Sequence, residues 1–186
     1  MLTGAEIIRR VENGDIFISD FNKEKVNPNS YNLTLSNKLK TYGDIYIDDD
    51  MHKHTIFSGI LDMKKDNYTV EHTIPEEGLV LYPGILYIGS TNEKTACDNL
   101  IPCIDGRSSI GRLGINVHAT AGFGDVGFHG KWTLEISVVH PIRIYPNCEI
   151  CQIYFDEPIG DTSIKYHGKY QFQDEPVSSQ IFKEYE

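Results

Sequence analysis

Short segments rich in β-branched and aromatic residues recur along most of the chain. They stand roughly ten residues apart and are separated by Gly, Pro, Asn and Asp. This spacing is typical of an antiparallel β-barrel or jelly roll. We therefore predict a mostly β fold, with strands at residues 16–18, 31–35, 79–82, 85–88, 132–139, 142–145 and 150–155.

The start of the chain carries a helical pattern instead. Thr3 is placed as an N-cap, with Glu6 three residues later, and Gly14 is a stop signal. A second, central helix is predicted from Ser108, whose hydroxyl would cap it. The apolar residues of the first helix share one face: Leu2, Ile7, Ile8 and Val11.

Length and composition describe one domain with a sizeable core. The chain has 186 residues, of which 40% are hydrophobic. We expect residues 1–186 to form this domain, with the polar residues 160–186 as a C-terminal arm that orders on a ligand or a neighbouring subunit. Residues 48–73, rich in Asp, Lys and His, are expected to be an exposed excursion.

Charge and hydropathy narrow the classes of partner. The 27 acidic and 17 basic residues give a net charge of -10, which disfavours duplex nucleic acid and anionic membranes. A nucleotide is still allowed, because a small ligand responds to local charge. No apolar run approaches the ~18–20 residues of a membrane span, and no secretory signal pattern is evident. We expect a cytoplasmic protein with no nucleic-acid and no membrane partner.

The cysteines do not match a zinc site. Cys148 and Cys151 have the spacing of one ligand pair, but five residues separate Cys97 from Cys103, too many for a second pair. Buried, reduced thiols are the favoured interpretation, and no zinc is expected.

Residues 106–114 (Gly-Arg-Ser-Ser-Ile-Gly-Arg-Leu-Gly) concentrate groups that bind anions. A glycine turn before a helix offers backbone N–H groups, and Arg107, Ser108 and Ser109 add a guanidinium and two hydroxyls. These groups together favour a phosphate site. The alternative is a capped helix with a surface arginine, and the segment is not a Walker loop.

Two carboxylates follow this segment. Asp125 lies among three glycines, in a turn that allows a ligand to approach closely, and Phe128 could pack on a sugar; an ordinary turn aspartate is the alternative. Glu135 lies in an otherwise apolar strand, on the same side as Thr133 and Ser137. If that side lines a pocket, Glu135 is placed to transfer protons; if it faces solvent, Glu135 has no special role.

Four motifs, in order, resemble the dCTP deaminase branch of the dUTPase-like superfamily. Residues 27–33 (Asn-Pro-Asn-Ser-Tyr-Asn-Leu) resemble its N-terminal signature, and residues 106–109 with Arg112 resemble its phosphate-binding and catalytic segment. Residues 133–135 (Thr-Leu-Glu) resemble its pyrimidine-reading strand, and residues 166–173 resemble the tail that closes over the triphosphate. The similarity spans nearly the whole chain and implies a dUTPase-like barrel.

The resemblance implies hydrolytic deamination of dCTP without a catalytic metal. Glu135 would move protons between water, the pyrimidine ring and ammonia, Arg112 would help fix the water and the glutamate, and Ser108 completes the catalytic set. The backbone around Thr133 and Leu134 would read the pyrimidine edge. The implied substrate-binding residues are Arg107, Ser108, Ser109, Ile110, Gly111, Arg112, Asp125, Phe128, Thr133, Leu134, Glu135, Gln152, Tyr166, Lys169 and Gln173.

The product stays open between dUTP and, in bifunctional members, dUMP with pyrophosphate. Residues 120–123 (Thr-Ala-Gly-Phe) resemble the bifunctional enzymes, but Gly124 and Val126 depart from the usual Ile-Asp-Pro. A dUTPase or a non-catalytic nucleotide-binding regulator is a further alternative. The resemblance also implies a homotrimer with sites between subunits, Mg²⁺ carried by the triphosphate, and dTTP as a possible inhibitor. The His-x-Glu signature of zinc cytidine deaminases is absent from all seven histidines.

Overall fold

Strands dominate the computed structural model, which describes residues 1–47, 53–56 and 59–186. Its helices are α1 (Gly4–Glu12) and α2 (Ser108–Gly111), with short 3-10 turns at Lys23–Lys25 and Ile181–Glu184. The strands are β1 (Ile16–Ile18), β2 (Tyr31–Tyr42), β3 (Asp44–Ile47), β4 (Lys53–Ile56), β5 (Thr69–Thr73), β6 (Leu79–Leu81), β7 (Tyr87–Cys97), β8 (Ile101–Gly106), β9 (Ile115–Asn116), β10 (His129–Val138), β11 (Ile142–Ile144) and β12 (Glu149–Asp156).

One antiparallel sheet organises the molecule. Its order is β8-β12-β2-β7-β10-β9, with β1 added to β7 and β5 added to β2. The chain after β9 returns to the opposite edge, where the Ile104 N–H donates to the Gly122 carbonyl (2.6 Å) and the Gly124 N–H to the Pro102 carbonyl (2.7 Å). These bonds nearly close the sheet, and the predicted mostly β, barrel-like fold is confirmed.

Strict alternation in β10 separates core from outer face. Leu134 and Ile136 are fully buried, while Thr133, Glu135 and Ser137 are half-buried on the other side. Each buried Leu or Ile side chain contributes about 1.5–3 kcal/mol through removal of apolar surface from water. The core therefore fixes which way Glu135 points.

The capping and stop residues predicted from the sequence are correct for α1, but the predicted cap of α2 is not. The Thr3 hydroxyl accepts a hydrogen bond from the Glu6 N–H, and Gly14 has a positive φ of 82° after α1, as predicted. The predicted hydroxyl cap of α2 is wrong. Arg107 is the N-cap of α2, and no side chain caps it. Ser108 is already the first helical residue, so its hydroxyl is past the position that can cap.

The segment expected to be an exposed excursion ends in the sheet. β5 pairs with residues 38–42 of β2. The prediction of an exposed excursion is therefore wrong for residues 69–73. The alternating pattern of β2 does not show which strand pairs with it, so this contact could not be predicted from the sequence. Residues 48–52, 57 and 58 of the excursion lie outside the described residues.

The C-terminal arm packs beside β10. The Lys131 N–H donates to the Gln173 carbonyl (2.9 Å), and the Phe172 N–H donates to the His129 carbonyl (2.7 Å). A Cβ at Gly130 would lie 2.9 Å from the Gln173 carbonyl oxygen, so glycine permits this approach. Whether a ligand or a neighbouring subunit orders the arm stays a prediction.

Candidate active site

A cavity of about 610 Å³ opens against the outer face of β10. The segment after β9 forms a second side and the C-terminal arm a third. The cavity brings together six of the predicted site residues: Asp125, Phe128, Thr133, Glu135, Tyr166 and Gln173.

Glu135 lies in this cavity with one oxygen fixed. Its Oε2 accepts a hydrogen bond from the Ala119 N–H (2.8 Å), and its backbone N–H donates to the Val117 carbonyl (2.9 Å). Within residues 1–47, 53–56 and 59–186, no donor bonds to Oε1. The carboxylate is therefore oriented by the backbone and keeps one oxygen open to accept a proton from a ligand or water.

Thr133 and Leu134, the predicted base-reading residues, face opposite sides. The Thr133 hydroxyl lines the cavity and accepts from the Val177 N–H of the arm (3.4 Å). The Leu134 side chain is fully buried in the core, which leaves only its backbone for contact with a base.

Aromatic rings form an apolar wall of the cavity. The Phe128 ring lies 4.9 Å from Trp132 and 5.9 Å from Tyr166, between ring centroids. The indole of Trp132 is anchored by donation to the Thr95 hydroxyl (2.8 Å). Such a wall excludes water from one side of a planar ligand and offers it edge and face contacts.

Sequence reasoning missed several lining residues, of which Trp132 is the clearest. Alternation places Trp132 on the core face of β10, and it is buried there, at 8% exposure. Its ring nevertheless lines the cavity beside Phe128, and which core side chains meet a cavity depends on the neighbouring segments and not on the alternation of one strand. Other unpredicted lining residues are Tyr42, His118, Ala119, Tyr170 and Val177.

Asp125 and Gln173 offer polar atoms at the cavity. Asp125 is exposed in a turn closed by the Phe128 N–H donating to its carbonyl (3.1 Å). Gln173 Nε2 donates to the Lys131 carbonyl (2.7 Å), but its buried Oε1 has no partner among the described residues. Because buried polar atoms are normally paired, this oxygen is available to a ligand donor.

The predicted phosphate-binding residues lie outside the lining of this cavity. Arg107 is held by Glu149: its Nη1 donates to the Glu149 carbonyl oxygen, and its Nη2 forms an ion pair with Glu149 Oε2, both at 2.9 Å. Lys169 instead pairs with Glu184 within the arm, and this hydrogen bond raises the pKa of Lys169. The residues absent from the lining are Arg107, Ser108, Ser109, Ile110, Gly111, Arg112, Leu134, Gln152 and Lys169.

The four cysteines are free thiols. Cys151 is fully buried, and burial raises the pKa of Cys97 to about 12. The described ranges contain no group of three or more His, Cys, Asp or Glu side chains placed to hold a metal ion. In the same ranges, every helix is too short or too polar to cross a membrane.

Comparison with known proteins gives consistent matches. The family model described as dCTP deaminase-like matches residues 1–157. A protein of Hathewaya histolytica named "dCTP deaminase, dUMP-forming" is 50% identical over 186 residues, which cover 100% of this chain and 99% of that relative. A protein of the same name from Clostridium botulinum (strain Alaska E43 / Type E3) is 48% identical over the same coverage.

The fold also matches a solved structure. The crystal structure of 2'-deoxycytidine 5'-triphosphate deaminase from Agrobacterium tumefaciens aligns with a TM-score of 0.62 at 21% identity. The match covers 84% of this chain and 48% of that chain, so this protein spans about half the length of that structure. The residue pattern, the full-length relatives and the family model agree, and the chain belongs to the dCTP deaminase-like family.

Proposed function

We propose that this protein deaminates dCTP hydrolytically and that Glu135 carries the protons. The observation that carries the proposal is the Glu135 carboxylate, which lies in an aromatic-walled cavity with Oε2 fixed by Ala119 and Oε1 open. The names of the full-length relatives supply the substrate.

The proposed chemistry needs one proton carrier. Oε1 of Glu135 accepts a proton from water as the water oxygen attacks C4 of the cytosine ring. The same carboxylate then passes that proton to N3, takes the proton of the new C4 hydroxyl and delivers it to the amino group, so that the C4–N bond breaks and ammonia leaves. Water and the amine are consumed, and a uracil carbonyl and ammonia are formed. A general acid–base group of this kind contributes ~10²–10⁴-fold to the rate.

We further propose that the product is dUMP, in agreement with the relatives' names. A second water would attack the α-phosphorus, and pyrophosphate would leave. Arg107, Ser108 and Ser109 would stabilise the leaving charge together with Mg²⁺, which arrives with the triphosphate as part of the substrate.

A homotrimer with sites between subunits would join the two halves of the predicted site. Support comes from the position of Arg107, Ser108 and Arg112, which lie outside the cavity that holds Glu135. Leu113 and Val139 are exposed near the same end of the sheet and would be buried by a neighbouring subunit. Inhibition by dTTP and a cytoplasmic location stay predictions.

Product analysis tests the proposal. Purified protein is incubated with dCTP and Mg²⁺, ammonia is measured enzymatically, and phosphorus NMR follows the nucleotide. We expect one ammonia and one pyrophosphate per dCTP consumed, with dUMP accumulating. Ammonia with intact dUTP would indicate a monofunctional deaminase. Binding of dCTP without release of ammonia would overturn the proposed enzyme activity and favour a nucleotide sensor. Light scattering would report the oligomeric state.

A further inference from the structure

The N-terminal signature at residues 27–33 lies outside the cavity and has no part in the chemistry above. Ser30 and Asn32 are nonetheless buried, at 7% and 5% exposure. Buried polar side chains are costly unless hydrogen-bonded, so their partners indicate what they are for.

Ser30 is hydrogen-bonded to the side chain of Gln152. The Ser30 hydroxyl donates to Gln152 Oε1 (2.7 Å), and Gln152 Nε2 donates to the Gly106 carbonyl (3.0 Å). A carbonyl can only accept, so Nε2 must face Gly106 and Oε1 must face Ser30. The second N–H of Nε2 is then left for a ligand oxygen, directly beside the start of the phosphate segment.

Asn32 is linked to Arg107 through the side chain of Glu149. Asn32 Nδ2 donates to Glu149 Oε2 (2.9 Å), the oxygen that also forms an ion pair with Arg107 Nη2 (2.9 Å). Asn27 Nδ2 donates to Asn32 Oδ1 (2.7 Å) and contacts the Ser30 hydroxyl (3.2 Å), which joins the two paths. Glu149 engages only part of the five N–H donors of Arg107, so others can still face an anion.

We infer that Ser30 and Asn32 are positioning residues that fix Gln152 and Arg107 for the triphosphate. The inference rests on the proposed function, which assigns Arg107 to the phosphates, and on the resemblance, which implies that Gln152 binds substrate. Side chains ordered before binding lose less entropy when the ligand arrives. The signature therefore acts on phosphate affinity and leaves the proton chemistry of Glu135 unchanged.

Equilibrium binding tests this inference without turnover. Kd values for dCTP and dCMP are measured with Mg²⁺ in a Glu135→Gln background. Ser30→Ala and Asn32→Ala should each weaken dCTP binding about fivefold, the order expected when one ligand contact loses its positioning, and should change dCMP binding less than about twofold. Ser19→Ala is the control, because it removes a serine hydroxyl that accepts a hydrogen bond from the Lys94 N–H (3.0 Å), and it should change neither value.

Equal weakening of both ligands would mean a general structural role and would overturn the inference, as would unchanged dCTP binding. Ser30→Ala decides alone if Asn32→Ala does not fold. With Glu135 intact, the same variants should raise KM for dCTP by the same factor, with kcat within about twofold. If the wild-type protein binds dCTP but releases no ammonia, the proposed function is wrong and the binding test of Ser30 and Asn32 is still valid. If the wild-type protein does not bind dCTP, the proposed function and this inference are both wrong.

Discussion

The backbone N–H of Ala119 donates a 2.8 Å hydrogen bond to Oε2 of Glu135, and so joins the segment after β9 to the strand that carries the carboxylate. A hydrogen bond to an ionised group is stronger than a neutral one and contributes about 1.5–3 kcal/mol. Glu135 is thereby held in one orientation before any ligand binds. Its chemistry depends on a loop as well as on its own strand.

Glu135→Gln should abolish most of the deamination. The amide keeps the size of the side chain and can still accept from Ala119, but it cannot take a proton from water. Ammonia release should fall by ~10²–10⁴-fold, with dCTP affinity largely kept. Glu71→Gln, at an exposed position of β5, is the control and should retain full activity. Near-normal turnover of Glu135→Gln would contradict the assignment.

Gly122→His should separate the two proposed activities. A Cβ at this position would lie 3.2 Å from both His118 Cε1 and the Ile104 carbonyl oxygen, so the added side chain must displace its surroundings. A misplacement of about 1 Å can cost about 10²-fold in rate, so pyrophosphate release should fall by that order while ammonia release continues. Phosphorus NMR and an ammonia assay on one sample provide the measurement. Parallel loss of both products would show that Gly122 does not select between them.

Deamination should not require zinc. Cys151 and Cys97 are buried among core side chains, and burial raises the pKa of both, which keeps them as thiols; zinc binds thiolates. Activity should survive a zinc-selective chelator when Mg²⁺ is in excess. Stoichiometric zinc by mass spectrometry, with activity lost on its removal, is the result that would refute this expectation.

Asp174 should hold the arm against the sheet in a pH-dependent way. Its Oδ1 lies 3.2 Å from Lys94 Nζ and 3.3 Å from Lys131 Nζ, and these hydrogen bonds lower the pKa of Asp174. A lowered folded-state pKa means that the contact stabilises the arm above the unfolded value near ~3.9 and is lost as pH falls through the folded value.

Asp174→Asn should therefore speed hydrogen exchange of the Lys131 and Phe172 amides at pH 7, by at most about fivefold because the pair is exposed. As pH falls below the unfolded value and through the lowered folded-state pKa of Asp174, the difference from wild type should shrink. Asp161→Asn is the control, because Asp161 accepts hydrogen bonds from Ser163 in its own turn. Unchanged exchange at pH 7 would show that backbone pairing alone docks the arm.

Local pattern alone determined a large part of this protein. Alternation in residues 132–139 predicts that Leu134 faces the core and Glu135 the outer side, because successive side chains of a strand point in opposite directions. Thr3, Glu6 and Gly14 predict the limits of α1, because a cap needs only neighbouring residues. The order of the motifs identified the family.

Only the tertiary structure decided which of these residues meet. The Ala119 bond to Glu135 depends on where the segment after β9 returns, and the place of Trp132 in the cavity depends on the side chains packed around its ring, among them Phe128. Arg107 lies outside the cavity that holds Glu135, and it is linked through Glu149 to Asn32. Both relationships concern residues that are distant in sequence. Side-chain periodicity is a local property, whereas register and chain return depend on contacts across the whole sheet.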